Sequence, residues 1–180
     1  MKARIYKSTG SWYSVKLENG QFCQARIKGV IKLDNITSTN PIAVGDWVEF
    51  ELEPGQQNGV INELEPRKNY IIRKSVNLSK QTQIIGANLD QAILVVTLAS
   101  PATSTGFIDR FLVTAEAYSI PAVLIFNKLD LFSEEGLELL AEFMALYEDL
   151  GYPCYAVSAL EGEHIEEVRA LLKDKTTLVS

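Results

Sequence analysis

The chain has 180 residues, 47% hydrophobic, 22% charged and 9% aromatic, with a formal charge of −6. That composition excludes a disordered chain, a collagen-like fibre and a disulfide-stapled mini-protein. The net charge conceals a division: residues 1–80 hold 12 Lys and Arg against 8 Asp and Glu, whereas residues 81–180 hold 5 against 15. An asymmetry of this size predicts two domains with different partners. The longest apolar runs, 92–99 and 120–126, fall far short of the ~20 residues a membrane span needs. Met1-Lys-Ala-Arg-Ile-Tyr-Lys has no apolar run behind its charges, so no secretory signal is expected. Cys23 and Cys154 stand in no metal or redox spacing and are expected as free thiols in a reducing compartment. A cytoplasmic protein without a membrane partner is the expectation.

Residues 1–66 read as β structure. Trp12-Tyr-Ser-Val-Lys-Leu alternates, and Asn19-Gly20 is a hairpin signal because both residues tolerate positive φ. Gln21 to Lys28 alternates on the return, Val44 to Leu52 repeats the pattern, and Gly59 to Leu64 closes the series. Four or five short strands without a 3.6-residue period predict a small closed barrel, with an OB-fold leading and an SH3-like barrel second. Trp12 and Trp47 are expected in the barrel core rather than as stacking platforms.

Residues 67–86 read as a basic linker between the domains. Its segment 67–80 holds five basic residues and no acidic one. Arg67, Lys68, Arg73 and Lys74 can track a phosphate backbone, with Tyr70 available to stack on a base; a solvated linker is the equally weighted reading.

Residues 87–180 change rhythm. Gln91 to Ala99 is an apolar run of strand length, as in a parallel sheet covered on both faces. Ile108, Phe111, Leu112, Ala115 and Tyr118 place a helix over 107–118. Pro121 to Phe126 is a second strand, and Leu137, Leu140, Ala141, Met144 and Tyr147 define a second helix, with Ser133 as N-cap and Gly151 just past its end. Tyr152 to Val157 is a third strand, Glu163 to Lys173 a third helix, and Thr176 to Ser180 a fourth strand. Alternation of this kind predicts a doubly wound α/β sheet, whose ligands bind beyond the carboxyl ends of the strands.

Two of those strand ends carry a pattern. Asn127-Lys128-Leu129-Asp130 follows the second strand and Ser158-Ala159-Leu160 the third, matching the N-K-x-D and S-A-x patterns of GTP-binding proteins. The Asp130 carboxylate can accept from the ring N–H and the exocyclic amine of guanine. Adenine would leave that charge unpaired, a loss worth roughly 10⁴-fold in discrimination. Asn127 can bond the base edge and tie the two loops together, and the Lys128 stem can lie over the ring with its ammonium near the ribose. The Ala159 N–H can donate to the guanine carbonyl, with Ser158 bracing the loop. Alone the first pattern is weakly specific; its position after a buried strand, with Ser-Ala after the next, makes coincidence much rarer. The competing reading is that Asn127 and Asp130 merely turn the chain and cap a helix. No G-x-x-x-x-G-K-[ST] phosphate loop occurs in the 180 residues.

With the barrel, Asn69 to Arg73, Ala87-Asn-Leu-Asp-Gln, Ile108-Asp-Arg-Phe-Leu, Asn127-Lys-Leu-Asp-Leu and Ser158-Ala-Leu, the whole chain resembles the ribosome small-subunit-dependent GTPase A family. These are circularly permuted GTPases whose base-recognition motifs precede the phosphate loop. The resemblance implies an OB-fold barrel followed by the first part, 87–180, of a circularly permuted P-loop GTPase domain, cut just before its P-loop. It implies GTP and GDP as ligands through Asn127, Lys128, Leu129, Asp130, Ser158, Ala159 and Leu160. Mg²⁺ would accompany the missing loop and Zn²⁺ a missing carboxyl-terminal domain. Its partners would be the 30S subunit and 16S rRNA, late in subunit assembly, with the protein a monomer. The fragment alone is expected to be inactive. The residue catalysing hydrolysis is not among those identified. No metal site is expected in these residues, and His164, the only histidine, is expected on a helix surface. The competing expectation is a non-enzymatic rRNA-binding module of barrel and α/β platform.

Overall fold

The computed structural model describes residues 1–28, 41–55, 58–74 and 82–180, with Arg73, Lys74 and Thr82 described by backbone alone. They divide into two compact units, Met1–Asn88 and Leu89–Ser180.

In the first unit, β1 (Lys2–Thr9), β2 (Trp12–Leu17), β3 (Phe22–Ile27), β4 (Trp47–Leu52) and β5 (Asn58–Leu64) close into a barrel in the order β1-β2-β3-β5-β4. β4 pairs back onto β1, and β3 pairs with β5 in parallel. This is the OB-fold arrangement, which removes the SH3-like alternative. The period-2 alternation sends Tyr13, Val15 and Leu17 inward from β2 to meet Ile5, Val48, Phe50 and Ile61. β5 approaches closely because Gly59 has no side chain: a Cβ there would lie 2.3 Å from the Phe50 ring.

Three local expectations change. In the β2–β3 turn only Gly20 adopts positive φ, +85°. Its N–H donates to the Leu17 carbonyl at 2.9 Å, and Asn19 Oδ1 accepts from Gln21 N–H, so Asn19 serves through its side chain rather than through a left-handed backbone. Trp12 and Trp47 are not core residues, since 45% and 38% of their surface is exposed. Both begin strands at outward-facing positions, which the alternation places opposite the core. Finally, the residues read as a linker contain β6 (Tyr70–Lys74) and β7 (Thr82–Ala87), paired antiparallel. This hairpin is tied into the barrel unit through Ala87 N–H to the Val44 carbonyl at 2.9 Å and Asn88 Nδ2 to the Gly45 carbonyl at 3.1 Å. Residues 75–80 of the basic track lie outside the described residues.

The second unit is a parallel sheet flanked by helices: β8 (Gln91–Val96), α1 (Thr105–Ala117), β9 (Ala122–Asn127), α2 (Glu134–Asp149), β10 (Cys154–Val157), α3 (Ile165–Leu172) and β11 (Thr177–Val179). The strand order is β10-β9-β8-β11. Leu94, Val96, Leu124 and Phe126 bury one face against α1 and α2, while Ile93, Val123, Ile125 and Val157 meet Ile165, Val168 and Leu171 of α3 on the other. Ser133 caps α2 as expected, its Oγ accepting from the Gly136 N–H at 3.3 Å. The chain winds outward from β8 through β9 to β10, then returns to β11 on the opposite side of β8. Such a reversal opens a crevice at the carboxyl ends of the strands. Among the described residues no helix is long and apolar enough to cross a membrane.

Candidate functional site

β9 ends at Asn127, and the backbone then enters the left-handed region at Lys128 (φ 74°, ψ 41°) before a 3-10 turn over Leu129–Leu131. The turn closes through the Leu131 N–H to the Lys128 carbonyl at 3.0 Å. β10 ends one residue before Ser158, and Ser158 and Glu163 exchange backbone hydrogen bonds of 3.2 and 3.0 Å that close the loop 158–163. The neighbouring positions of β9 and β10 in the sheet bring both loops to one edge.

Side chains join them. Asn127 Oδ1 accepts from the Ala159 N–H at 3.0 Å. The Ser158 hydroxyl, fully buried, donates to Asp130 Oδ1 and accepts from the Glu161 N–H. The carboxylate is thus oriented by a fixed donor while Asp130 itself remains exposed. Lys128 Nζ donates to the Ser100 carbonyl in the loop after β8. Leu160 is 79% exposed, an apolar side chain standing in solvent beside the carboxylate loop.

All seven residues of the two motifs lie on these two loops, but their contacts differ from expectation at three points. The Ala159 N–H, expected to be available to a base carbonyl, is taken by Asn127. Leu129 packs against the core beneath α1 and α2 rather than lining the edge. Lys128 reaches a third loop, 97–104, which the sequence reading had not used. The signal was present: that loop also follows the carboxyl end of a parallel strand, the position that the sheet rule singles out.

The basic segment is not a continuous track. The Arg67 guanidinium is buried, its side chain 7% exposed, and grips Asp46 through Nε–Oδ1 (2.7 Å) and Nη2–Oδ2 (2.6 Å). Its Nη2 also donates to the Pro41 carbonyl, and the Asp46 carboxylate accepts from the Ala43 N–H. Arg67 therefore holds the barrel unit together and is not placed for a phosphate. Tyr70 is half-buried with Arg67 over its ring at 5.9 Å. Lys68 is exposed; the side chains of Arg73 and Lys74 lie outside the described residues. Cations and aromatic rings do meet elsewhere, on the outer face of β1–β3. Tyr6 and Phe22, both about half exposed, form an edge-to-face pair at 5.3 Å, with Lys16 Nζ within 5.4 and 5.7 Å of their rings.

Comparison with known proteins decides the family. A model described as the RsgA N-terminal domain matches residues 2–61, and one described as RsgA GTPase matches residues 64–180. The chain belongs to the RsgA GTPase family. "Small ribosomal subunit biogenesis GTPase RsgA" of Christiangramia forsetii is 52% identical over 182 residues, covering 100% of this chain and 58% of that protein. The protein of the same description from Bacteroides fragilis is 52% identical over 180 residues with the same coverage. Among solved structures, YjeQ from Thermotoga maritima matches with a TM-score of 0.81 at 33% identity, over 99% of this chain and 59% of that one. YloQ, described as a circularly permuted GTPase, matches at 0.77 and 28%, over 99% and 58%. The chain thus spans a little under three-fifths of the curated RsgA relatives it matches. In this chain the loops of Asn127 and Ser158 follow an OB-fold barrel.

Proposed function

We propose that this chain supplies the guanine-recognition half and the barrel of a GTP-hydrolysing factor in late maturation of the small ribosomal subunit. The observation that carries the reading is the pair of bonds joining the strand-end loops, Asn127 to Ala159 and Ser158 to Asp130. Together they build one edge at which a base can be read. In this arrangement Asp130 accepts from the guanine ring N–H and exocyclic amine, the Ser158 hydroxyl having fixed its rotamer beforehand. Since the Ala159 N–H is engaged, the guanine carbonyl takes the neighbouring Leu160 N–H or shares the Ala159 donor. The Leu160 side chain and the Lys128 stem cover the base. The relatives' names support GTP as substrate and the small ribosomal subunit as the place of action. We further propose that the barrel meets the 16S rRNA of the 30S subunit and that the protein is a cytoplasmic monomer. Phosphates and Mg²⁺ belong to the crevice beside β11, the expected place of a phosphate loop. Among the described residues no group of three or more His, Cys, Asp or Glu side chains converges on a metal, so no step is assigned here to Zn²⁺. Equilibrium dialysis of GDP against ADP tests the reading: preference for GDP supports it, and equal binding sinks the assignment of Asn127 and Asp130.

A second reading, an RNA-binding module without nucleotide chemistry, is favoured by the Tyr6–Lys16–Phe22 surface, since exposed rings beside cations suit unpaired bases. The two are compatible if the barrel meets rRNA while the α/β unit holds nucleotide.

A further inference from the structure

Three candidates lie outside the motifs: the cleft of about 370 Å³ lined by Arg26, Lys28, Glu51 and Glu53, the exposed leucines of α2, and the loop 97–104. In the cleft Arg26 is already neutralised by Glu53 at 2.6 Å, and Lys28 shares the lining with the Glu51 and Glu53 carboxylates; nothing in the structure indicates what covers α2. The loop carries an inference. We propose that it forms a third wall of the base site, and that Thr97 and Thr103 are positioning residues acting on the nucleotide through Lys128. This rests on the guanine-site reading above.

The loop is closed on itself at its base. The Thr103 N–H donates to the Thr97 carbonyl at 2.7 Å, and the Thr97 N–H donates to Thr103 Oγ1 at 3.1 Å. The Thr97 hydroxyl donates to the Pro101 carbonyl. These bonds present the Ser100 carbonyl to the Lys128 ammonium. Both ends of that contact hold left-handed backbone, φ 51° at Ser100 and 74° at Lys128, a conformation unfavourable for residues other than glycine. Strain retained at a strand-end loop is a mark of pre-organisation. The ammonium has three donors, so after Ser100 two remain for a ribose oxygen. A lysine side chain has many rotamers to lose on binding. Anchoring its head on Ser100 takes part of that loss before the nucleotide arrives and lays the aliphatic stem along the site. The stem meets the flat face of a purine and the ammonium the sugar, features that guanine and hypoxanthine nucleotides share. The loop therefore sets affinity without setting base choice, which belongs to Asp130.

The test is a competition assay on the full natural chain, with GDP and IDP displacing a fluorescent GDP analogue. IDP lacks only the exocyclic amine, so the GDP:IDP ratio reports Asp130. Thr103→Val and Thr97→Val should each weaken both nucleotides by about 3- to 10-fold, the worth of one hydrogen bond, with their ratio unchanged. Thr103→Ser should restore wild-type affinity. In a Lys128→Ala background neither valine variant should cause further loss, because the coupling runs through that ammonium. Losses that add to that of Lys128→Ala, fall on GDP alone, or are absent would overturn the proposal. Should Thr103→Val not fold, Thr97→Val carries the test, since it leaves the backbone closure intact. Failure of the underlying reading looks different: wild-type protein would then bind GDP and IDP equally, and both ideas fall.

Discussion

Arg67 and Asn127 show how differently single residues disclose themselves. Asn127 stands in a four-residue pattern with a chemical rationale, and its side chain bridges to Ala159 as one of its two expected roles. Arg67 stands in a run of like charges, where sequence offers no sign that its partner is Asp46, twenty-one residues upstream. A buried pair of this kind is costly to break from one side, because the survivor is a charge without water or counter-charge. Arg67→Ala is accordingly expected to destabilise the fold by about 3–5 kcal/mol, whereas replacing both partners with apolar residues of similar volume should cost far less. Urea unfolding of the single and double variants checks this. A small effect of Arg67→Ala would mean that the guanidinium is not structural and is available to a partner after all.

At the scale of elements, the strands and helices of the α/β unit were legible because buried parallel strands are continuous apolar runs and α1 and α2 keep a 3.6-residue stripe. The hairpin β6–β7 was not, since Arg73 and Lys74 mask the period of β6, Gly86 interrupts that of β7, and the hairpin docks through Val44 and Gly45, distant in sequence. Its docking depends on a close approach: a Cβ at Gly45 (φ 94°) would lie 2.1 Å from the Ala87 carbonyl oxygen. Gly45→Ala should therefore lower the thermal midpoint markedly, and more than Gly55→Ala, where positive φ is shared but nothing lies within 4 Å. The helix–sheet contact yields a pH dependence. Burial, aided by the Glu148 charge, pushes the Cys154 thiol up to about 12; burial, with the bond to Asp109, pushes the Tyr147 phenol to about 12. Both stay protonated in the fold while the unfolded chain ionises from about pH 9 and 10 upward. The unfolded state then binds fewer protons, so stability should fall as pH rises from 9 toward 12. Urea midpoints at pH 8 and 11 measure that fall, and Tyr147→Phe should make it shallower.

For the whole molecule, the charge division between the halves falls close to the boundary between the two compact units, Met1–Asn88 and Leu89–Ser180. What composition could not foretell is the Tyr6–Lys16–Phe22 cluster on the barrel, because a ring beside a cation depends on strand register: Lys16 opposes Phe22 across β2–β3. If unpaired RNA stacks there, Tyr6→Ala and Phe22→Ala should each cost about 1–3 kcal/mol in single-stranded RNA binding. Lys16→Gln should lower the salt slope by about one unit. Unchanged affinity in all three variants would move the contact off this face. The central claim, that Asp130 reads guanine, is tested most directly by exchanging its carboxylate for an amide. Asparagine still accepts from the ring N–H but presents an N–H₂ where guanine has its amine, and xanthine has a carbonyl there. Asp130→Asn should therefore exchange preference from GDP to XDP, each affinity changing by about 100-fold or more. A variant that keeps its preference for GDP would contradict the account.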